Sequence, residues 1–158
     1  MSGLEVALRA RLPGFTLADP WVTEHLTVGD LYSHRSGLPQ AAGDDLEDIG
    51  YDRGYILDHL VHQPLDDFRS SYHYANFGMT AGAEAVATAA GTDWATLAER
   101  ELYEPLGLAS TSSRYDDFLT RDNRATLHTK VDGEFQPLYE RDPDEQSPAG
   151  GVSSNVTD

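Results

Sequence analysis

The sequence predicts a mainly α chain with one small β-hairpin, and three observations carry that reading. Phe77 to Ala90 is a run of small, helix-tolerant residues closed by Gly91. Residues 55–62 place Ile56, Leu57, Leu60 and Val61 at helical spacing. Asp132-Gly133, flanked by residues 124–131 and 134–139, is the strongest short turn signal in the chain. A length of 158 residues is one domain's worth and can bury a core.

Taken in order, Leu4, Val6, Leu8 and Leu12 predict a short helix ending at Pro13-Gly14. Residues 17–26 read as an extended connector. Thr27 then caps a helix over Val28 to His34 that stops at Gly37 and Pro39. His34 and Ser36 are too close on such a segment to work as a pair, so His34 reads as a satisfied interior or hinge histidine. Residues 40–50, with Asp44, Asp45, Glu47 and Asp48, read as a mobile acidic loop without the ligand spacing of a calcium loop.

His59 and His62 can share one face of the helix over residues 55–62, but two histidines without a third ligand make a poor metal site. Pro64 ends this helix. Residues 68–78, Phe-Arg-Ser-Ser-Tyr-His-Tyr-Ala-Asn-Phe-Gly, form an irregular lip leading into the helix that follows, with Asn76 at its N-cap. There a phenol, Tyr74, an amide, Asn76, and the positive end of a helix converge, a suitable place to handle a proton and a polar substrate group.

Thr92-Asp93 opens the next helix, which runs to Tyr103 and presents Trp94, Leu97, Leu102 and Ala98. Ala81, Ala85 and Ala89 let another element approach closely, which makes these two helices the expected heart of the chain. Pro105 and Gly107 break the chain, residues 110–117 form a polar loop, and residues 140–146 form an acidic linker before Pro148-Ala-Gly-Gly-Val152.

Four stretches in this order, residues 26–39, the Tyr74-Ala-Asn76 lip, residues 101–108 and residues 147–154, resemble the serine β-lactamase and penicillin-binding-protein superfamily, in particular its class C-like esterase and peptidase branch. The resemblance covers nearly the whole chain and implies the helical region of a β-lactamase-like α/β serine hydrolase fold. It implies that Tyr74 is the general base and proton shuttle, that the Asn76 amide contacts substrate, and that Gly150 and Gly151 form a wall where backbone approaches it closely.

The family acylates a serine in a Ser-x-x-Lys motif. None of the eleven serines here has a lysine three residues on, and Lys130 is the only lysine. The Lys-Thr-Gly or His-x-Gly motif is also absent. Residues 1–158 are therefore expected to be a single partial domain, with both ends of the parent fold outside them and no covalent catalysis of their own. A non-catalytic binding or assembly module derived from the same fold is the alternative reading.

A formal charge of −16, from 27 acidic residues against 11 basic ones, argues against nucleic acid and anionic membranes as partners. With no cysteines, disulfides and thiol chemistry are excluded. No cofactor or metal is implied. The expected ligand is the small acyl substrate of the parent enzyme, and apolar area meant for missing parts is expected to drive homo-oligomer formation or pairing with those parts. Without a signal-peptide pattern the chain reads as cytoplasmic, a periplasmic or secreted parent remaining open.

Overall fold

A computed structural model describes residues 5–158. The helix expected from Leu4 to Leu12 lies partly outside these residues, and within them the segment forms only a 3-10 turn, Leu8–Ala10. Its backbone pairs instead with the Thr27 segment, Leu8 N–H donating to Leu26 O at 2.9 Å and Val28 N–H to Val6 O at 3.2 Å. Leu8 is thereby sunk into the core.

The connector expected over residues 17–26 contains a helix, α1 (Pro20–His25). Its start signal is local: the Asp19 carboxylate accepts from Trp21 N and Val22 N at 2.7 and 3.1 Å, and Pro20 fills the first helical position, where no N–H is needed. Next comes α2 (Val28–Tyr32), opened by a capping box in which Thr27 and Asp30 satisfy each other's backbone N–H groups. It is shorter than expected, because His34 adopts a left-handed conformation with φ 56.

Residues 40–50 form structure rather than a loop. They hold α3 (Asp44–Asp48), entered through Gly43 at φ 93, and bury Ala42 and Glu47. A Cβ at Gly43 would lie 2.8 Å from Ile56 and 2.9 Å from the Phe77 ring, so glycine is required there by both conformation and space. The expected helix over residues 55–62 is α4 (Arg53–His59), tightening into a 3-10 turn, Leu60–His62.

The fifteen-residue α5 (Asn76–Ala90) is the axis of the molecule. Phe77, Ala81, Ala83, Ala85 and Ala87 are all buried, a set too wide for one helical stripe. Consequently α5 is covered on more than one side, by α2 and α4 and, toward the C-terminus, by α6 (Trp94–Ala98) and α9 (Ser147–Gly150). The close approach predicted from small residues is to α2: a Cβ at Gly82 would lie 3.0 Å from the Tyr32 ring. Ala89 faces solvent.

After Gly91 the Asp93 cap starts α6, which passes through one π turn, Glu99–Tyr103, into α7 (Glu104–Leu106). Pro105 has no N–H for the Glu101 carbonyl, so the ladder widens there. The extra residue turns Tyr103 inward, at 7% exposure, and leaves the expected core residue Leu102 at 50%. The polar loop expected over residues 110–117 gives way to α8 (Tyr115–Leu119). The predicted hairpin is present as β1 (Thr129–Val131) antiparallel to β2 (Glu134–Gln136), turning at Asp132 and Gly133, both with positive φ.

One core runs from Leu8 through Phe15, Leu17, Leu26, Leu31, Leu38 and Ile56 to Phe77 and Ala85. Residues 140–146 are no free linker. They end in a 3-10 turn, Asp144–Gln146, and Gln146 is buried. No helix among the described residues is long and apolar enough to cross a membrane.

Candidate active site

The lip at residues 66–75 is hooked onto residues 34–37 along its length. Asp66 N–H donates to Gly37 O at 2.8 Å, Arg69 N–H to Arg35 O at 2.9 Å and His73 N–H to His34 O at 3.1 Å. Gly37 makes the approach possible: it has φ 87, and a Cβ there would meet Asp66 O at 2.9 Å. Arg69 is the side-chain anchor. It places Nε and Nη2 on the two Asp30 carboxylate oxygens, each at 2.9 Å, and Nη2 also reaches His25 O at 2.9 Å. Burial pushes the Asp30 carboxyl up, but its bonds from Arg69 and Thr27 together outweigh that and hold it below the ordinary range.

On this frame Tyr74 stands 45% exposed, its ring 4.6 Å from the His34 ring and its carbonyl accepting from Ala41 N–H at 2.8 Å. Tyr72 packs edge-on against His34 as well, with centroids 5.5 Å apart. His34 is half-buried and hydrogen-bonded, as a satisfied hinge histidine should be: its Nδ1 accepts from Ala75 N–H at 3.2 Å.

Asn76 departs from its expected capping role. The N-cap is Ala75, Asn76 is the first helical residue, and its Nδ2 donates to Asp44 Oδ2 at 3.0 Å. Burial, with Glu47 and Asp48 nearby, pushes the Asp44 carboxyl up against the opposing effects of Asn76 and Arg141. Asp44 Oδ1 and Glu47 Oε1 are buried without a partner among the described residues. No set of three or more metal-binding side chains converges anywhere among those residues. His59 and His62 do share a face, with centroids 5.6 Å apart.

Gly150 and Gly151 line a different recess, a cavity of about 350 Å³ shared with Tyr115, Phe118, Leu127 and Tyr139. Tyr74 and Asn76 are not among its lining residues. What links the two places is α9 itself, which packs on α5. A polar clamp missed in the sequence holds it there. Arg53 donates from its backbone N to Glu145 Oε2 at 2.6 Å, from Nε to Glu145 O at 2.8 Å and from Nη2 to Ser147 Oγ at 3.2 Å, and it pairs with Glu84 and the Asp144 carbonyl. Glu47 takes Arg141 and Gln146 in the same way. Partners some 90 residues apart leave no local signal.

The family model described as Beta-lactamase matches residues 7–158. This chain belongs to the beta-lactamase family. Beta-lactamase-like protein 2 of Dictyostelium discoideum is 27% identical over 124 residues, which are 74% of this chain and 22% of that protein. Unguisins hydrolase ungD' of Aspergillus campestris (strain IBT 28561) is 26% identical over 157 residues, 91% of this chain and 28% of that one. The chain thus spans about a quarter of the length of these relatives.

Among solved structures, EstCE1, described as a hydrolase with promiscuous acyltransferase activity, superposes with a TM-score of 0.77 at 19% identity, covering 98% of this chain and 49% of that one. A class C beta-lactamase from Rhodobacter sphaeroides gives 0.71 at 22% identity, covering 98% and 41%. The helical architecture of this beta-lactamase family chain is therefore that of part of the beta-lactamase fold.

Proposed function

We propose that this chain forms the helical side of the cleft of a serine hydrolase that transfers acyl groups from an ester, β-lactam or peptide amide through an acyl-serine. In this reading Tyr74 takes the proton from the attacking serine hydroxyl and returns it to the leaving group, while the Asn76 amide contacts the substrate. Gly150 and Gly151 supply backbone along the cleft wall. The observation that carries the reading is the exposed Tyr74 phenol on a rigidly hooked lip, directly before the N-terminus of α5. Relatives described as an unguisins hydrolase and as a hydrolase with acyltransferase activity support hydrolysis as the reaction class.

The nucleophile in this reading lies outside the 158 residues, since no Ser-x-x-Lys occurs within them. The chain alone is then inert. Incubation with an activated fluorophosphonate, followed by intact-mass measurement, should give no adduct. A stoichiometric serine adduct that disappears in Tyr74→Phe would overturn the assignment, because one of the eleven serines here would then be the nucleophile. In a longer protein carrying the motif, Tyr74→Phe should lower kcat about 10²- to 10⁴-fold, the usual range for a lost general acid–base group.

A further inference from the structure

The backbone N–H groups of both residues flanking Tyr74, His73 and Ala75, donate to one residue. His34 O accepts from His73 N–H at 3.1 Å, His34 Nδ1 accepts from Ala75 N–H at 3.2 Å, and the His34 ring lies 4.6 Å from the Tyr74 ring. We propose that His34 is the positioning residue of Tyr74, fixing the backbone on either side of it and bearing on its ring. The inference rests on the reading of Tyr74 as the proton-handling group.

Three physical points support it. First, α5 has no side-chain cap of its own, and Ala75 N–H is one of the orphan donors of a helix start. The imidazole supplies the missing acceptor from 41 residues away. Second, His34 pays for this with φ 56, a conformation that a non-glycine residue keeps only where its surroundings require it. Third, a backbone N–H can only donate, so Nδ1 must carry a lone pair, and the proton of the neutral ring sits on Nε2.

Protonation of His34 would cancel the acceptor and set a cation beside the rings of Tyr72 and Tyr74. Burial already pushes the His34 pKa below the ordinary histidine value. The other groups around it are the two phenols, His73 paired with Asp66 at 3.3 Å, the adjoining Arg35, and Asp30 with its partner Arg69, Asp30 O accepting from Arg35 N–H at 2.9 Å. Acidification should therefore loosen the lip at Tyr74 while α5 stays folded.

The test is NMR on the whole 158-residue chain with three variants. His34→Gly keeps the left-handed backbone but removes ring and acceptor. His34→Asn tolerates the same backbone and restores an acceptor near the Nδ1 position. His73→Asn controls for the neighbouring histidine.

Expected is exchange of the Ala75 amide about tenfold faster in His34→Gly and within about threefold of the parent in His34→Asn, with Ala81 and Ala85 amides unchanged, as loss and rescue of one hydrogen bond predict. In the unsubstituted chain and in His73→Asn, the Tyr74 ring resonances should shift in step with protonation of His34, and that shift should vanish in both His34 variants. Unaltered Ala75 exchange and Tyr74 resonances in His34→Gly would overturn the proposal. So would exchange in His34→Asn as fast as in His34→Gly, or Tyr74 resonances that ignore His34 in the unsubstituted chain. None of these readouts needs turnover. Were Tyr74 dispensable for acyl transfer in a longer protein, the proposed function would fail and the hold of His34 on residues 73–75 would stand.

Discussion

The two halves of this chain are stabilised by different physics. Among the described residues, every buried member of the continuous apolar core lies between Leu8 and Ala85. Beyond Gly107, by contrast, Leu127, Phe135, Leu138, Tyr139 and Val152 are exposed, and the segment is held to the rest by hydrogen bonds from Arg53 and to Glu47. Burial of apolar area is non-directional and tolerant, whereas a charged clamp fixes one geometry and fails when a single partner is lost. The half that carries Tyr74 thus meets the half that carries Gly150 and Gly151 through these clamps, through the packing of α9 and the turn Asp144–Gln146 on α5, and through α6, which touches both α5 and α9.

The contrast can be broken most sharply in the core. Phe77 is fully buried, and Phe77→Ala should cost about 3–5 kcal/mol in urea unfolding, while Phe135→Ala, at a position 71% exposed, should stay within about 0.5 kcal/mol. Equal costs would mean that the C-terminal half has a core of its own. Next in size is Arg53→Met, expected to cost about 2 kcal/mol, since charge-assisted bonds to several partners are lost and Glu84 is left half-buried. Limited proteolysis should then cut residues 140–151 first, while exchange protection in α5 persists. A uniform loss of protection would deny that the clamp acts locally.

A smaller effect is expected at the start of α6. Asp93→Ala removes the cap to Thr96 and should cost about 1 kcal/mol. Hydrogen bonds from the Thr96 backbone and hydroxyl, aided by Arg114, lower the Asp93 pKa to about 2. Because the folded value lies below the unfolded one, this contribution is complete above about pH 4 and disappears as pH falls through about 2. Thermal melts of parent and Asp93→Ala should therefore converge across that window. The smallest effect on stability, within about 0.5 kcal/mol, is expected from Leu127→Ser with Tyr139→Ser, both exposed. If these side chains drive self-association, sedimentation should shift toward monomer in the pair; unchanged sedimentation would mean that this face takes no part in association.

The features legible in the sequence were those encoded within a few residues. The Thr27 and Asp93 caps, the extent of α5 and its stop at Gly91, and the Asp132-Gly133 hairpin all rest on local backbone chemistry. Legibility failed where a distant partner decided the outcome. Asp44 to Asp48 carry the charge of a loop, yet they form a helix because Gly43 lets the chain pass under Ile56 and Phe77, and because Arg141 and Gln146 meet Glu47. Leu102 has the spacing of a core residue, yet the π turn before Pro105 hands its place to Tyr103. At the candidate site the lip and Tyr74 could be picked out, but the turn of Asn76 toward Asp44 and the double role of His34 depend on contacts 32 and 41 residues away.

The Arg53 clamp also sets an order of events. Its partners lie 31 residues downstream at Glu84 and 91 to 94 downstream at Asp144, Glu145 and Ser147. The nearer loop closes at lower entropic cost, and α4 and α5 have their shared core to bring them together first. Only then is the guanidinium oriented to receive the carbonyls of residues 144 and 145. On a ribosome, where the N-terminal half emerges first, the Tyr74 lip would be complete before Gly150 is synthesised, and the last stretch would dock onto a finished surface.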